Sequence, residues 1–338
     1  MQVARLHGPA DLRLHDEPIP EPGPGESLVR VTATGVCGSD LHWFSEAGIG
    51  DARLVKPLVL GHESAGVIAS GAQRGQRVAI DPSIPCGQCE HCREGNPNFC
   101  ERLVFAGSAP DDGLLREYIA WPTHCLHPLP DTLADADGAM LEPLGVAIHT
   151  VDLGHVRPGM TVGVFGCGPI GLLVLQVARA AGATRLIATD LPSVPHRQQA
   201  ARALGATVFP AGSSHQESAD ILAVTGGRGV DVAFEAAGEN AAVEAAVAAV
   251  RPGGRVILTG IPADDRTTFT ASIARRKGLT IKLVRRMKHT YPRAIRLVES
   301  GAVDVRSVVT HRFPLSASAE AYLAAQRRLG LKVVIEGE

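Results

Sequence analysis

From residue 162 onward the chain repeats one pattern: a short apolar run, then a longer stretch with apolar residues at helical spacing. The runs at 162–165, 185–189, 207–209, 230–234, 255–258 and 280–284 predict strands, and stretches such as 170–181 and 241–250 predict helices between them. Strands in regular alternation with helices predict a parallel sheet covered on both faces, an α/β fold. Two further helical segments, near 294–300 and 317–328, and a last apolar run at 332–335 follow. The first 145 residues read differently. Apolar runs at 28–33, 66–69, 77–80 and 118–121 sit between Gly and Pro breaks, and a short helix is predicted at 131–140. Short strands set off by turn signals predict an all-β unit, a barrel or a sandwich. The chain shows no internal repeat and no low-complexity tract.

Composition narrows the function classes. A length of 338 residues suits about two domains. Basic residues number 33 and acidic residues 35, a net charge of -2 that provides no field to gather nucleic acid or anionic membrane. Aromatics at 4% are too sparse for base-stacking platforms. Arg5 follows Met1 closely with no apolar run behind it, so no secretory signal is read. The most apolar stretch, 162–178, is broken by glycines and Pro169, which argues against a membrane span. A cytoplasmic protein is therefore expected. There are 7 cysteines, and four crowd between Cys86 and Cys100, which in a reducing compartment points to a metal before disulfides.

Three motifs carry chemistry. The first is Gly166-Cys167-Gly168-Pro169-Ile170-Gly171, directly after a predicted strand and opening a predicted helix. Gly166 allows the tight turn, Gly168 lets backbone approach a pyrophosphate, and Gly171 lets helix and sheet pack closely. Asp190 closes the next predicted strand, where a carboxylate accepts hydrogen bonds from ribose hydroxyls and repels a 2′-phosphate. Arg197 has two readings: it stacks on adenine, or it neutralises a 2′-phosphate. NAD is expected ahead of NADP.

The second motif is Cys86-x2-Cys89-x2-Cys92-x7-Cys100, four thiolates that match a closed tetrahedral zinc site of structural type. An iron–sulfur cluster and two disulfides are the alternatives. His91 lies inside this loop and is read as a surface residue. The third signal is scattered: Cys37 in Gly35-Val36-Cys37-Gly38-Ser39-Asp40, His62 and Glu63 in Gly61-His62-Glu63, and Glu142 in Leu141-Glu142-Pro143-Leu144. One soft, one borderline and two hard ligands together suit an open catalytic zinc.

With these residues in family order along essentially the whole chain, the sequence resembles the zinc-dependent medium-chain dehydrogenases of the alcohol dehydrogenase superfamily. Glu142, Ser39-Asp40-Leu41-His42, Thr310-His311-Arg312-Phe313-Pro314-Leu315 and Arg286 make it most similar to the sorbitol and polyol branch. Met287 after Arg286 and Trp43 depart from the usual aromatic neighbours of that branch. The resemblance implies a GroES-like β-barrel catalytic domain over 1–144 and 285–338, and a Rossmann dinucleotide-binding domain over 145–284, with the substrate cleft between them. It implies that Cys37 and His62 ligate the catalytic zinc, that Glu63 and Glu142 ligate it directly or through water, and that a proton leaves through Ser39 towards His42. Asp40 is read as structural or as an acceptor behind the ligands. Trp43 would wall the substrate site, and Arg286 would orient polyol hydroxyls.

The function implied is hydride transfer from a secondary alcohol of a polyol, such as sorbitol or xylitol, to NAD, giving a ketose. The alternatives are an L-idonate, L-threonine, 2,3-butanediol or simple secondary-alcohol dehydrogenase, an NADP-dependent reductase, and a dinucleotide-binding protein without turnover. Relatives of this kind assemble as dimers or tetramers, so a homo-oligomer is expected.

Overall fold

The protein is described here by a computed structural model, which covers residues 1–212 and 216–337. The chain folds into two compact units. One holds Met1–Pro143, Tyr291–Gly301 and the residues from Val305 onward, and the other holds Leu144–Thr290 with Ala302–Asp304.

The first unit is built on a seven-stranded sheet. Strand β3 (Glu26–Gly35) is its centre, pairing antiparallel with Glu63–Ile68, with Tyr118–Pro122 and with Lys332–Glu336. Each predicted strand in this region is present: Arg77–Ile80 has the predicted bounds, Glu26–Gly35 and Tyr118–Pro122 run slightly beyond theirs, and Glu63–Ile68 starts earlier and ends one residue sooner, because polar residues at strand ends still pair through backbone. A hairpin of β1 (Gln2–Gly8) and β2 (Asp11–Asp16), not predicted, pairs with Leu58–Val59. Its polar residues, such as Arg13 and Asp16, mask the strand pattern. The core beneath contains Val3, Leu6, Trp43, Phe44, Leu60, Tyr322 and Val333. The helix α1 (Gly38–Glu46) follows β3 and turns Trp43 and Phe44 into that core.

The second unit is the predicted parallel sheet, all six strands of it. Its strand order runs Thr207–Pro210, Arg185–Asp190, Thr161–Phe165, Val230–Glu235, Val250–Leu258, Thr280–Leu283. In chain order that is 3-2-1-4-5-6, the doubly wound arrangement that reverses direction beside its first strand. The first strand reads as a near-continuous apolar run because both its faces are buried. Among the described residues no helix is long and apolar enough to cross a membrane.

One helix was not predicted and one expected boundary is corrected. Residues 141–154 form one helix, Leu141–Gly154. Pro143 is tolerated because in the first turn it lacks only an N–H that has no helical partner there. Residues 285–290, expected with the first unit, belong to the second. There Met287 and Thr290 pack against Gly145, leaving no room for a Cβ, and the Thr290 hydroxyl lies 3.1 Å from the Met287 sulfur.

Asp231, at the start of its strand, ties the sheet's edge loops together. Its carboxylate accepts from Arg228 at 2.6 Å, from Arg251 at 2.7 Å and from the Thr161 backbone N–H at 2.9 Å. Burial pushes its pKa up, but these donors outweigh burial and hold it down at about 2. A carboxyl depressed in the folded state stabilises above its unfolded value of about 3.9 and loses that contribution as pH falls through the folded value. Asp231→Asn should therefore cost about 1–2 kcal/mol at pH 7 in urea unfolding. The gap to wild type should shrink as the measurement is repeated from pH 5 towards pH 3.

Candidate active site

Cys37 stands at the junction of β3 and α1, as the residue that caps the helix start. Asp40, in the first turn of α1, folds back so that its Oδ2 accepts the Cys37 backbone N–H at 3.0 Å. Its Oδ1 lies 3.4 Å from the Gly61 N–H and 3.3 Å from His62 Nδ1. This carboxylate is fully buried. With Nδ1 facing Asp40, His62 turns its Nε2 the other way, where Ser39 Oγ stands 3.4 Å off. Phe105 packs against the imidazole with ring centroids 5.3 Å apart. The donor atoms of Cys37, His62 and Glu63 all lie within 4.8 Å of one another.

Those three residues are what the structure brings together. Glu142 stands outside that donor group, buried in the first turn of the helix Leu141–Gly154. Burial pushes its carboxyl up to about 7, with the Glu63 charge adding to the rise while His62 and Lys332 oppose it. Glu63 is not simply a ligand: its Oε2 forms an ion pair with Lys332, and both side chains are buried. Lys332 and Asp40 shape the site as much as the motif residues do. The sequence carries one signal for Lys332, a lone cation inside the apolar run at 332–335. The group fits zinc. A thiol, an imidazole with its far nitrogen against a carboxylate, and a carboxylate form a mixed donor set, and negative groups outnumber Lys332.

His42 lies on α1 with Nδ1 3.6 Å from Glu46 and a half-buried side chain, at a position able to pass a proton to solvent. Trp43 was expected as a pocket wall, but it is 2% exposed and packs among Val3, Phe44, Leu58 and Tyr322, so its bulk supports α1 from below. Arg286 is half-buried in the second unit, on a left-handed backbone at φ 52°. A side chain held in that region costs energy and persists only where its surroundings dictate it.

The four cysteines of the lobe also converge, with Cys86, Cys89, Cys92 and Cys100 within 4.8 Å. The Cys86 N–H points at Cys100 Sγ at 3.3 Å, and the Cys89 N–H at Cys86 Sγ at 3.4 Å. Backbone donors aimed at sulfur favour thiolate, and the N–H groups of Gln88 and Cys89 hold the Cys86 thiol down at about 5. None of the seven cysteines is in a disulfide. A closed set of four thiolates fits a structural zinc ion, and His91 stacks edge-on against Phe99.

In the second unit the glycine-rich turn follows its strand as the motif requires. Gly166 has φ +102°, and a Cβ on Gly171 would collide with the Gly166 carbonyl. The helix Pro169–Ala180 starts at Gly168, with Pro169 and Ile170 in its first turn, so its N–H groups face an incoming phosphate. Asp190 braces the turn: Oδ2 accepts the Cys167 N–H at 2.9 Å and Oδ1 the Leu191 N–H at 2.7 Å. Each oxygen keeps a lone pair for a ribose hydroxyl. Arg197 reaches the same turn, its Nη1 3.8 Å from where a Gly168 Cβ would stand.

Comparison with known proteins agrees with this geometry. Residues 23–131 match the alcohol dehydrogenase GroES-like domain and residues 169–300 the zinc-binding dehydrogenase family. A sorbitol dehydrogenase of Bacillus subtilis (strain 168) is 35% identical over 327 residues, 95% of this chain and 92% of its own. The structure of L-idonate 5-dehydrogenase from Escherichia coli K-12 superposes with a TM-score of 0.90 at 27% identity, covering 99% of this chain and 97% of that one. A zinc-binding dehydrogenase from Sinorhizobium meliloti 1021, bound to NADP, superposes with a TM-score of 0.87 at 28% identity, covering 99% and 98%. The chain belongs to the zinc-dependent medium-chain dehydrogenases, on their sorbitol and polyol branch. It is an oxidoreductase of zinc and a nicotinamide dinucleotide, with a GroES-like domain and a Rossmann-type sheet.

Two ligand sets lead to two zinc ions per fully loaded chain, measurable by atomic absorption or plasma mass spectrometry. Cys37→Ser should retain one zinc and the fold but lose activity. Cys100→Ser should lower the melting temperature instead. Asp40→Asn should weaken metal binding about 10- to 100-fold, because a second-layer acceptor orients the ligand imidazole. Competition with a chromogenic chelator reads that loss directly.

Proposed function

We propose that the enzyme oxidises a secondary hydroxyl of a polyol to a ketone with NAD. The observation that carries this reading is Glu63 in one donor group with Cys37 and His62, with a second buried carboxylate, Glu142, near enough to feel the His62 and Glu63 charges. A carboxylate beside a thiol and an imidazole, with another in reserve, favours a hydroxylated substrate, since carboxylate oxygens accept hydrogen bonds from neighbouring hydroxyls. The named relative that acts on sorbitol supports the same class. Zinc held by Cys37, His62 and a glutamate would supply Lewis-acid polarisation of the carbinol oxygen, and the dinucleotide would accept hydride.

The chain's own residues do the rest. Ser39 Oγ, next to His62 Nε2, takes the hydroxyl proton while giving up its own, and His42 releases one proton to water in exchange. Glu142 is the carboxylate free to approach or leave the donor group, because Lys332 ties down Glu63. The family resemblance assigns the distal hydroxyls to Arg286. A sugar acid such as L-idonate is the second reading, favoured by likeness to L-idonate 5-dehydrogenase and by the suitability of a guanidinium fork for carboxylate.

NAD is the preferred dinucleotide on this reading. Asp190 is anchored by two backbone N–H groups, so it cannot swing away from a 2′-phosphate. Arg197 is the opposing charge. A reducing, cytoplasmic location suits the free thiols. The edge strand Thr280–Leu283, with Leu283 71% exposed, supports assembly with a second copy.

A panel of sorbitol, xylitol, L-idonate, 2,3-butanediol and 2-propanol tests the substrate. Polyols should exceed 2-propanol in kcat/KM by more than about tenfold, since missing hydroxyls leave buried polar groups unpaired. Arg286→Ala should erode that advantage while sparing 2-propanol. L-Idonate ahead of every polyol would transfer the assignment to the sugar acid, and equal rates throughout would reject hydroxyl recognition. With NAD and NADP at equal concentration, NAD should give the higher kcat/KM, and Asp190→Ser should narrow the difference. A higher value with NADP in the wild type would make Arg197 the deciding charge.

A further inference from the structure

Glu235 ends the strand Val230–Glu235, the fourth of the parallel sheet in chain order. It pairs opposite Phe165, the last residue of the first strand, so it stands where the strand order reverses. Dinucleotides lie across the crevice outside the strand ends at that point. The Glu235 side chain is buried, and its Oε1 accepts the backbone N–H groups of Ala237 and Gly238, each at 2.7 Å. The N–H groups of Glu239 and Gly260 also face the carboxylate and oppose the rise in pKa that burial imposes. Its backbone carbonyl accepts the Thr259 N–H at 2.8 Å and the Gly260 N–H at 3.2 Å. One residue thereby gathers two loops that follow different strands, 236–239 and 259–261.

We propose that Glu235 is a positioning residue for the nicotinamide half of the dinucleotide, holding loops 236–239 and 259–261 together as one wall of the crevice. Asp190 and the glycine-rich turn serve the adenosine ribose and the pyrophosphate, on the side of the first three strands. The rest of a dinucleotide extends past the reversal, over the fourth and fifth strands, whose end loops Glu235 binds. Those loops have no slack. Gly238 has φ +72°, a Cβ on it would stand 2.5 Å from the Ile261 carbonyl oxygen, and a Cβ on Gly260 would collide with the Gly238 nitrogen. They also abut the phosphate turn: the Ala236 N–H donates to the Phe165 carbonyl at 2.8 Å, and a Cβ on Gly166 would stand 2.8 Å from the Ala237 nitrogen. Ala237 is exposed and Ala236 and Gly238 are half-buried, so the wall is small-residue backbone that a ligand can approach closely. The carboxylate spends its lone pairs on backbone N–H groups, and it therefore acts on the ligand through the loops it holds.

The test compares two ligands on zinc-loaded wild type, Glu235→Ala and Glu235→Gln. One is the reduced dinucleotide that wild type binds more tightly, NADH or NADPH, followed by nicotinamide fluorescence. The other is 5′-AMP, followed by calorimetry, which carries the adenosine half alone. Glu235→Ala should weaken the dinucleotide at least about tenfold, because buried N–H groups left unpaired release the loops. AMP affinity should stay within about twofold, because its site lies on the other side of the reversal. Glu235→Gln keeps a carbonyl oxygen for Ala237 and Gly238 and should return to within about threefold of wild type. A merely structural acid would lower the melting temperature and leave the ratio of the two affinities unchanged. That result, or Glu235→Gln as weak as Glu235→Ala, would overturn the proposal. Should Glu235→Ala fail to fold, Glu235→Asp decides: its carboxylate, one methylene short, must weaken the dinucleotide and spare AMP, and an unchanged dinucleotide affinity would sink the claim.

Discussion

The Asp40 carboxylate is the contact on which the Cys37–His62–Glu63 donor group depends. Cys37 and His62 lie on separate segments, and nothing in either motif forces them to one point. Asp40 takes the Cys37 N–H with one oxygen and faces the Gly61 N–H and His62 Nδ1 with the other. One buried anion thereby sets the start of α1, the approach of the Gly61–Glu63 segment and the direction of the imidazole. A charge without water around it is tolerable only while these donors remain in place. The same requirement makes the arrangement specific: a displaced segment would strand the carboxylate, so alternatives are costly.

The second unit uses the same device with a different outcome. Asp190 braces the Gly166–Gly168 turn by accepting two backbone N–H groups, and the turn in turn aims the helix Pro169–Ala180. In the first unit the acid hides behind the ligands. In the second it is buried against the binding turn, with a lone pair on each oxygen left for a ribose hydroxyl. Each of the two functional centres is organised by an aspartate that closes a local loop, and neither aspartate needs to take part in chemistry.

Much of this was legible from residues alone. The six parallel strands show because strands buried on both faces are apolar throughout, as Val162 to Phe165 and Val230 to Phe234 are. The four-cysteine lobe shows because its ligands are close in sequence. The hairpin β1–β2 was hidden by Arg13, His15 and Asp16, and the helix Leu141–Gly154 by Pro143. Lys332 was hidden for a different reason. Its partner Glu63 is remote in sequence, and a lone lysine in a terminal apolar run has no spacing to betray it. Trp43 misled because the family resemblance suggested a pocket wall there, whereas α1 directs Trp43 and Phe44 inward to meet the core. Local motifs are readable, and pairings made by tertiary approach are not.

The ion pair of Glu63 with Lys332 also orders the birth of the molecule. Ribosomes deliver the chain from its N-terminal side, so Glu63 emerges long before the strand Lys332–Glu336 can pair with β3. Until then the acid of the catalytic centre has no counter-cation and every reason to stay hydrated. The lobe from Cys86 to Cys100 has no such wait, since all four sulfurs leave the tunnel together and can capture metal on the nascent chain. Maturation thus has a built-in sequence: the structural ion can enter during synthesis, while the catalytic pocket closes after the last strand is laid down.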